Sequence, residues 1–136
     1  MFETEKIEKP WGYELIWAHT DKYVGKILHV NKGEKLSLQF HNLKDETIHL
    51  FSGKLKLEIE ENGVMVIRTL MPGDSYRIPP KTKHRMDAEE TCDILEASTP
   101  ELDDVVRIQD SYGRAPAIVC ARKRTIPPQD SGKSRE

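Results

Sequence analysis

The sequence has few of the features that mark disulfide-rich, membrane-spanning or nucleic-acid-binding proteins. Its 136 residues contain only two cysteines, Cys92 and Cys120, so no disulfide framework is predicted. No hydrophobic run approaches the roughly 18 residues that a membrane span requires. The 21 basic and 23 acidic residues leave a net charge of -2, whereas a general nucleic-acid-binding protein needs a basic face. We therefore expect neither a nucleic-acid nor a membrane partner.

The start of the sequence also lacks the pattern of a signal peptide. The segment Met1–Lys6 has no apolar stretch of the kind found in signal peptides, so we expect a cytoplasmic protein with reduced thiols. The length predicts a single domain, which we place at residues 1–120. Residues 121–136 are basic and then rich in proline, serine and glycine, and they are predicted to form a flexible tail.

What the sequence does contain is a series of short strand patterns separated by turn residues. In the segment 54–60, apolar and charged residues alternate, as in a strand with one buried face. The following Glu61-Asn62-Gly63 predicts a type I′ hairpin turn. Many short strands at regular spacing predict an all-β sandwich or barrel. Further strands are expected at 13–18, 22–31, 36–41, 47–51, 64–70, 75–78 and 93–97, and one short helix at 100–107.

Four residues in two segments have the side chains of a metal site. Gln39 and His41 are two positions apart, so a strand would present both on the same face. Glu46 follows after a polar turn, and His84 comes after a turn rich in proline. One amide oxygen, two imidazoles and one carboxylate form a reasonable ligand set for a divalent ion. The three neutral ligands would leave such an ion with a net positive charge, able to polarise a sugar oxygen.

The alternative interpretation is that these are ordinary surface residues. The row Ser37, Gln39 and His41 is unusual for a solvated strand face, which more often carries lysine, glutamate and threonine. This composition favours a polar cavity instead. Alternation also places Lys44 on the side of Glu46. The pattern therefore predicts one pocket lined by five side chains: Ser37, Gln39, His41, Lys44 and Glu46. On ligands alone, His41, Glu46 and His84 would also suit the two-histidine, one-carboxylate iron triad of an oxygenase.

Several segments of the sequence match those of a known family. The chain resembles the cupin superfamily, and within it the C-terminal isomerase domain of type II mannose-6-phosphate isomerases, which are often fused to mannose-1-phosphate guanylyltransferase. The matching segments are 9–12 (Lys-Pro-Trp-Gly), 33–41 with Glu46 and 52–53, 78–79 with 83–85, and 104–114, which ends in Tyr-Gly-Arg.

This resemblance implies a fold, a cofactor and an activity. The fold would be an all-β cupin jelly-roll barrel, here with short terminal extensions. The activity would be the interconversion of mannose 6-phosphate and fructose 6-phosphate, a proton shift between adjacent carbons through an enediol. The ion would be divalent, with zinc favoured and manganese, iron, cobalt or nickel as alternatives. The implied metal ligands are Gln39, His41, Glu46 and His84; the implied catalytic residues are Lys44, Arg85 and Arg114, and we add Ser37 and Lys44 as substrate-binding residues.

The sequence also departs from the family at positions near the predicted pocket. Asn42 and Leu43 stand where the family often has histidine, Ile48 replaces a tryptophan, and Lys81 replaces a glycine. These changes leave the exact phosphosugar open. The glycine-rich phosphate loop of a nucleotidyltransferase is absent, so no guanylyltransferase activity is expected.

Two other functions are consistent with the same site residues, and a homodimer is predicted from a separate segment. The alternatives are a mononuclear iron cupin oxygenase and a non-catalytic sugar-binding cupin. Cupins commonly pair through edge strands, which predicts a homodimer with the segment 13–18 as the candidate edge.

Overall fold

The computed structural model describes residues 1–112, and these form antiparallel β-structure without a helix. The described part therefore contains no helix that could span a membrane. The predicted tail, Cys120 and Arg114 lie outside the described residues. The strands are β1 (Glu5–Lys9), β2 (Gly12–His19), β3 (Val24–Val30), β4 (Leu38–Phe40), β5 (Glu46–Glu61), β6 (Val64–Leu70), β7 (Ser75–Ile78), β8 (His84–Ser98) and β9 (Val106–Gln109).

The strands form one curled sheet in which β5 and β8 are the longest elements. The main path runs β1-β2-β3-β8-β4-β9, while β5 pairs with β6, β7 and β8. The β5–β8 ladder extends from the pair Glu46 and Ser98 to the pair Ile59 and His84. Because β8 also pairs with β3 and β4, it brings strands from distant parts of the sequence to the same interior.

Strand β5 continues through a point where the sequence predicts a break. The segment 52–53 was expected to separate two strands, but the ladder only shifts its register there. Gly53 has a φ of 99°, and a Cβ at this position would lie 2.3 Å from the carbonyl oxygen of Thr91. Glycine therefore allows the two backbones to approach closely while the sheet bends.

The buried face of β5 is apolar along most of the strand, and only its first residue, Glu46, is a buried charge. Leu55, Leu57 and Ile59 are buried, as their alternation with charged residues predicts. They join a cluster that includes Trp11, which is fully buried. The predicted hairpin turn is also confirmed, because Asn62 and Gly63 both have positive φ and connect the paired strands β5 and β6.

Two local predictions are wrong. Residues 100–105 form an irregular segment with a turn at 102–103, and Val106–Gln109 is a strand, so the helix expected at 100–107 does not form. The segment 13–18 is not a sheet edge, because β2 pairs with β1 on one side and with β3 on the other. Strand β1, which covers this edge, was not predicted because its sequence is short and mostly charged.

Candidate metal centre

Three of the predicted ligands converge inside the barrel. His41 follows β4, while Glu46 and His84 begin β5 and β8. The Oε2 atom of Glu46 lies 3.2 Å from Nε2 of His41 and 3.3 Å from Nε2 of His84. All three residues are buried, and their candidate ligand atoms lie within 4.8 Å of one another. This arrangement could hold a metal ion.

Strand pairing places the fourth predicted ligand beside this group. Gln39 is directly opposite His84 in the β4–β8 ladder, and directly opposed residues project from the same face of a sheet. The amide nitrogen of Gln39 donates hydrogen bonds to Oγ of Ser37 at 3.0 Å and to its carbonyl oxygen at 3.4 Å. These bonds orient the amide, so its oxygen is the atom that Gln39 can offer to a metal. Ser37 thus contacts a ligand, and its substrate role stays a prediction.

Backbone carbonyls determine which nitrogen of each histidine carries a proton. Nδ1 of His41 donates to the carbonyl of Asp104 at 2.6 Å, and Nδ1 of His84 donates to the carbonyl of Thr82 at 2.9 Å. Since a carbonyl can only accept, both Nδ1 atoms carry a proton. Each Nε2 atom faces Glu46; it donates to the carboxylate when it is protonated and offers a lone pair to a metal ion when the ring is neutral. This outer hydrogen bonding is the usual arrangement behind metal-binding histidines.

The electrostatics of the group also suit a cation. Burial acts to raise the pKa of Glu46, but Lys44, His41 and His84 outweigh it and hold that pKa well below its ordinary range. The Nζ atom of Lys44 lies 3.4 Å from Oε1 of Glu46, so the two carboxylate oxygens have different neighbours. Two imidazole nitrogens, one ionised carboxylate oxygen and one amide oxygen are ligands that divalent ions accept. The donor set therefore fits the divalent ion that the resemblance implies.

A chain of buried charges extends from this group into the barrel. Lys44 lies 3.0 Å from Glu96, which is 4.0 Å from Lys26, and Lys26 is 3.0 Å from Glu14. Burial raises the pKa of Glu96, and the nearby charge of Glu46 adds to the effect, against the opposing influence of the two lysines. Negative and positive groups alternate along this series of buried charges, so each lysine has a carboxylate partner that offsets its charge.

Sequence reasoning predicted Lys44 beside Glu46 but missed Glu14, Lys26 and Glu96, although a signal for them exists. Lys26 is in phase with the buried Val24, Leu28 and Val30 of β3. A charged residue at an inward position of a strand, flanked by core residues, indicates a buried partner. Here the partner is on β8, where Glu96 is directly opposite Lys26.

Asp104 holds the loop that connects two of the ligands. Its carboxylate accepts hydrogen bonds from the backbone N–H groups of Asn42, Leu43 and Lys44 at 3.0, 2.6 and 2.9 Å. Its carbonyl accepts the bond from His41 described above. One residue thus orients both the His41 ring and the chain leading to Glu46.

Arg85 faces a different part of the structure from the ligands. Its guanidinium donates to the carbonyl oxygens of Leu36 and Gln109 at 2.9 and 3.2 Å. These bonds connect Arg85 to the backbone just before β4 and at the end of β9, which is a structural role. The catalytic role of Arg85 stays a prediction, and that of Arg114 falls outside the described residues.

Sequence comparison identifies relatives over most of the chain. Residues 2–110 match the family model described as Mannose-6-phosphate isomerase C-terminal. Mannose-1-phosphate guanylyltransferase of Escherichia coli (strain K12) is 34% identical over 115 residues, covering 80% of this chain and 23% of the relative. The corresponding Salmonella typhimurium protein, ManC, is 33% identical with the same coverage. The chain thus spans about a quarter of the length of these curated relatives.

Solved structures share the fold. Oxalate decarboxylase from Bacillus subtilis at pH 4.6 gives a TM-score of 0.71 with 17% identity, covering 86% of this chain and 33% of that one. An RmlC-like cupin from Shewanella frigidimarina gives 0.63 with 16% identity, covering 72% and 85%. KdgF from Halomonas sp. gives 0.63 with 22% identity, covering 73% and 88%. At these identities the likeness concerns the fold, and it confirms the predicted all-β cupin barrel.

Proposed function

Because the chain belongs to the mannose-6-phosphate isomerase C-terminal family, we propose that it is a metal-dependent sugar-phosphate isomerase. The reaction would interconvert an aldose phosphate and a ketose phosphate of the mannose 6-phosphate type. It moves one proton from carbon 2 to carbon 1 and another from the hydroxyl oxygen on carbon 2 to the oxygen on carbon 1, so atoms and charge balance without an external oxidant. The observation that carries this proposal is the buried convergence of His41, Glu46 and His84.

The residues of this chain would divide the work between metal binding and charge stabilisation. Gln39, His41, Glu46 and His84 would hold the ion, with zinc as the first choice. When bound, the ion would supply a Lewis acid for the oxygens of the sugar. Lys44 lies beside the ligands, and its ammonium would stabilise negative charge that develops on the substrate. Burial strengthens this interaction because little water is present to screen it.

Turnover and metal content test the proposal together. The protein should be loaded separately with zinc, manganese, iron, cobalt and nickel, incubated with mannose 6-phosphate and assayed for fructose 6-phosphate. We expect turnover with at least one metal, and loss of both turnover and bound metal in His41→Ala. His49→Ala is the matched control, because His49 contacts Ser75 instead of the ligand group.

The possible results separate the competing functions. Absence of turnover with all five metals would refute the isomerase proposal. Oxygen consumption with ferrous iron would favour the oxygenase, whereas ligand-induced thermal stabilisation without turnover would favour a sugar-binding protein. Retention of metal by His41→Ala would refute the metal centre itself.

We also propose a homodimer formed through β1, which pairs with β2 alone among the described strands. The segment Glu5-Lys6-Ile7-Glu8-Lys9 is self-complementary when two copies pair antiparallel about Ile7. Glu5 would then oppose Lys9 of the second copy, and Lys6 would oppose Glu8. Opposed charges of this kind stabilise a ladder. Light scattering should report a dimer that Ile7→Pro converts to a monomer, since proline removes a ladder donor; an unchanged mass would refute this edge.

A further inference from the structure

We propose that Arg107 binds the phosphate group of the sugar substrate at the metal centre. This inference rests on the proposed function, since it names the residue that would select a phosphomonoester for that site. The observation behind it is a juxtaposition created by strand pairing: Arg107 is opposite the predicted ligand Gln39 in the β4–β9 ladder.

Gln39 is the middle member of a row that crosses three strands. It is paired with His84 of β8 on one side and with Arg107 of β9 on the other. Directly opposed residues in antiparallel strands have Cβ atoms about 5 Å apart and share a face of the sheet. Arg107 therefore belongs to the same face as two predicted metal ligands.

The burial of β9 supports this orientation. Arg107 is 6% exposed, whereas the next residue, Ile108, is 41% exposed. An arginine facing inward beside an apolar residue facing solvent reverses the usual preference of both side chains. The reversal places a guanidinium group at an inward position, where a buried charge needs a partner of opposite charge.

The charges already inside the barrel explain why a further cation would be needed. Lys44 lies between Glu46 and Glu96, and Lys26 lies between Glu96 and Glu14. Both lysines are thus closely balanced by carboxylates, so the charge of about -1.5 to -2 on a phosphate monoester would need a further cation.

The chemistry of arginine suits this ligand. A guanidinium presents parallel N–H donors that match two oxygens of a phosphate, and its charge persists when it is buried. The phosphate would lie on the β9 side of the ligand row, with the reacting carbons of the sugar toward the metal ligands. The arrangement would favour a phosphosugar over the corresponding free sugar.

Calorimetric titration tests the assignment without requiring turnover. Metal-loaded wild type, Arg107→Met and Arg107→Lys should each be titrated with inorganic phosphate, fructose 6-phosphate and fructose. We expect Arg107→Met to bind both phosphate ligands at least about tenfold more weakly, the loss expected for a charge-assisted hydrogen bond. Metal content should be unchanged, and fructose should bind equally to all three proteins.

Two further variants make the comparison specific. Arg68→Met is the matched control, because Arg68 is exposed and bonded to Glu61 on the β5–β6 hairpin. Arg85→Met tests the alternative prediction from sequence. Loss of phosphate affinity in Arg85→Met but not in Arg107→Met would overturn the assignment. Arg107→Lys keeps the charge and most of the packing volume, so it serves if the methionine variant does not fold; it should show intermediate affinity.

The outcomes distinguish this assignment from the isomerase proposal. Equal phosphate affinity in the wild type and both Arg107 variants, or no phosphate binding by the wild type, would overturn the role of Arg107 even if turnover is observed. Phosphate binding that depends on Arg107, in a protein that shows no turnover, would support the role of Arg107 and refute only the isomerase proposal.

Discussion

Replacing Asp104 with alanine should weaken the metal centre although Asp104 is not one of its predicted ligands. The substitution removes the carboxylate that holds three consecutive backbone N–H groups between His41 and Glu46. It leaves the Asp104 carbonyl that accepts from His41. The variant therefore tests the role of the loop between His41 and Glu46 without removing the hydrogen bond that orients the His41 ring.

The size of the effect follows from these three bonds. A hydrogen bond to a charged group contributes about 1.5–3 kcal/mol, so three could contribute up to about 9 kcal/mol. The N–H groups of Asn42 and Leu43 belong to exposed residues and would bind water instead. We therefore expect a loss of about 2–4 kcal/mol in the free energy of unfolding, which corresponds to a Tm lower by about 10 °C. Displacement of residues supporting metal ligands commonly weakens metal affinity about 10- to 100-fold.

Thermal unfolding of the metal-free protein and a competition titration with a metal indicator would measure the two effects. Asp103→Ala provides the matched control, because Asp103 is the adjacent exposed carboxylate. The reasoning fails if Asp104→Ala and Asp103→Ala have the same stability and the same metal affinity.

Three other predictions concern the barrel. Gly53→Ala should lower the free energy of unfolding by at least about 2 kcal/mol more than Gly73→Ala. Both glycines have a φ near 98°, but only Gly53 would place its Cβ against backbone, so equal losses in chemical denaturation would refute the packing argument. Hydrogen bonds from Arg68 and Tyr76 lower the pKa of Glu61 to about 2. The ionised Glu61 should therefore contribute fully to stability above about pH 4.5, and this contribution should disappear as the pH falls through about 2. Carboxyl NMR should report this midpoint, and an unchanged midpoint in Arg68→Met would contradict the cause. Lys44→Met should destabilise the metal-free protein by about 3 kcal/mol, because it leaves buried carboxylates without their cation. Excess metal should then raise the Tm of this variant more than that of the wild type, and an equal increase would be contrary to the electrostatic account.

Local sequence patterns predicted much of the barrel because parts of several strands, such as 55–59 of β5, alternate between buried and less buried residues. The leucines of β5 and the Asn62-Gly63 turn follow rules that involve only neighbouring residues. The same rules failed at Gly53, where a turn residue serves a bend within a continuous ladder. They also failed at 100–107, because the end of this weakly helical segment pairs with β4 as part of strand β9.

The candidate site, too, was predicted only in part from the sequence. The alternation of Gln39 and His41, followed by Glu46 and later by His84, was sufficient to propose a shared ligand group. The choice between Arg85 and Arg107 was not available from spacing, because it depends on which face of which ladder each residue occupies. The structure places Arg85 against backbone carbonyls and Arg107 opposite Gln39.

The sequence by itself determined the periodicity of the strands, the types of the predicted ligands and their positions within each segment. These properties depend on side-chain chemistry and on the two-residue repeat of a strand, which is a local constraint. Only the tertiary structure decided that Lys26 and Glu96 continue the charge chain, that Asp104 supports the ligand loop and that Arg107 joins the ligand row. Each of these depends on pairing between strands far apart in the sequence, and such pairing is selected by the packing of the whole barrel.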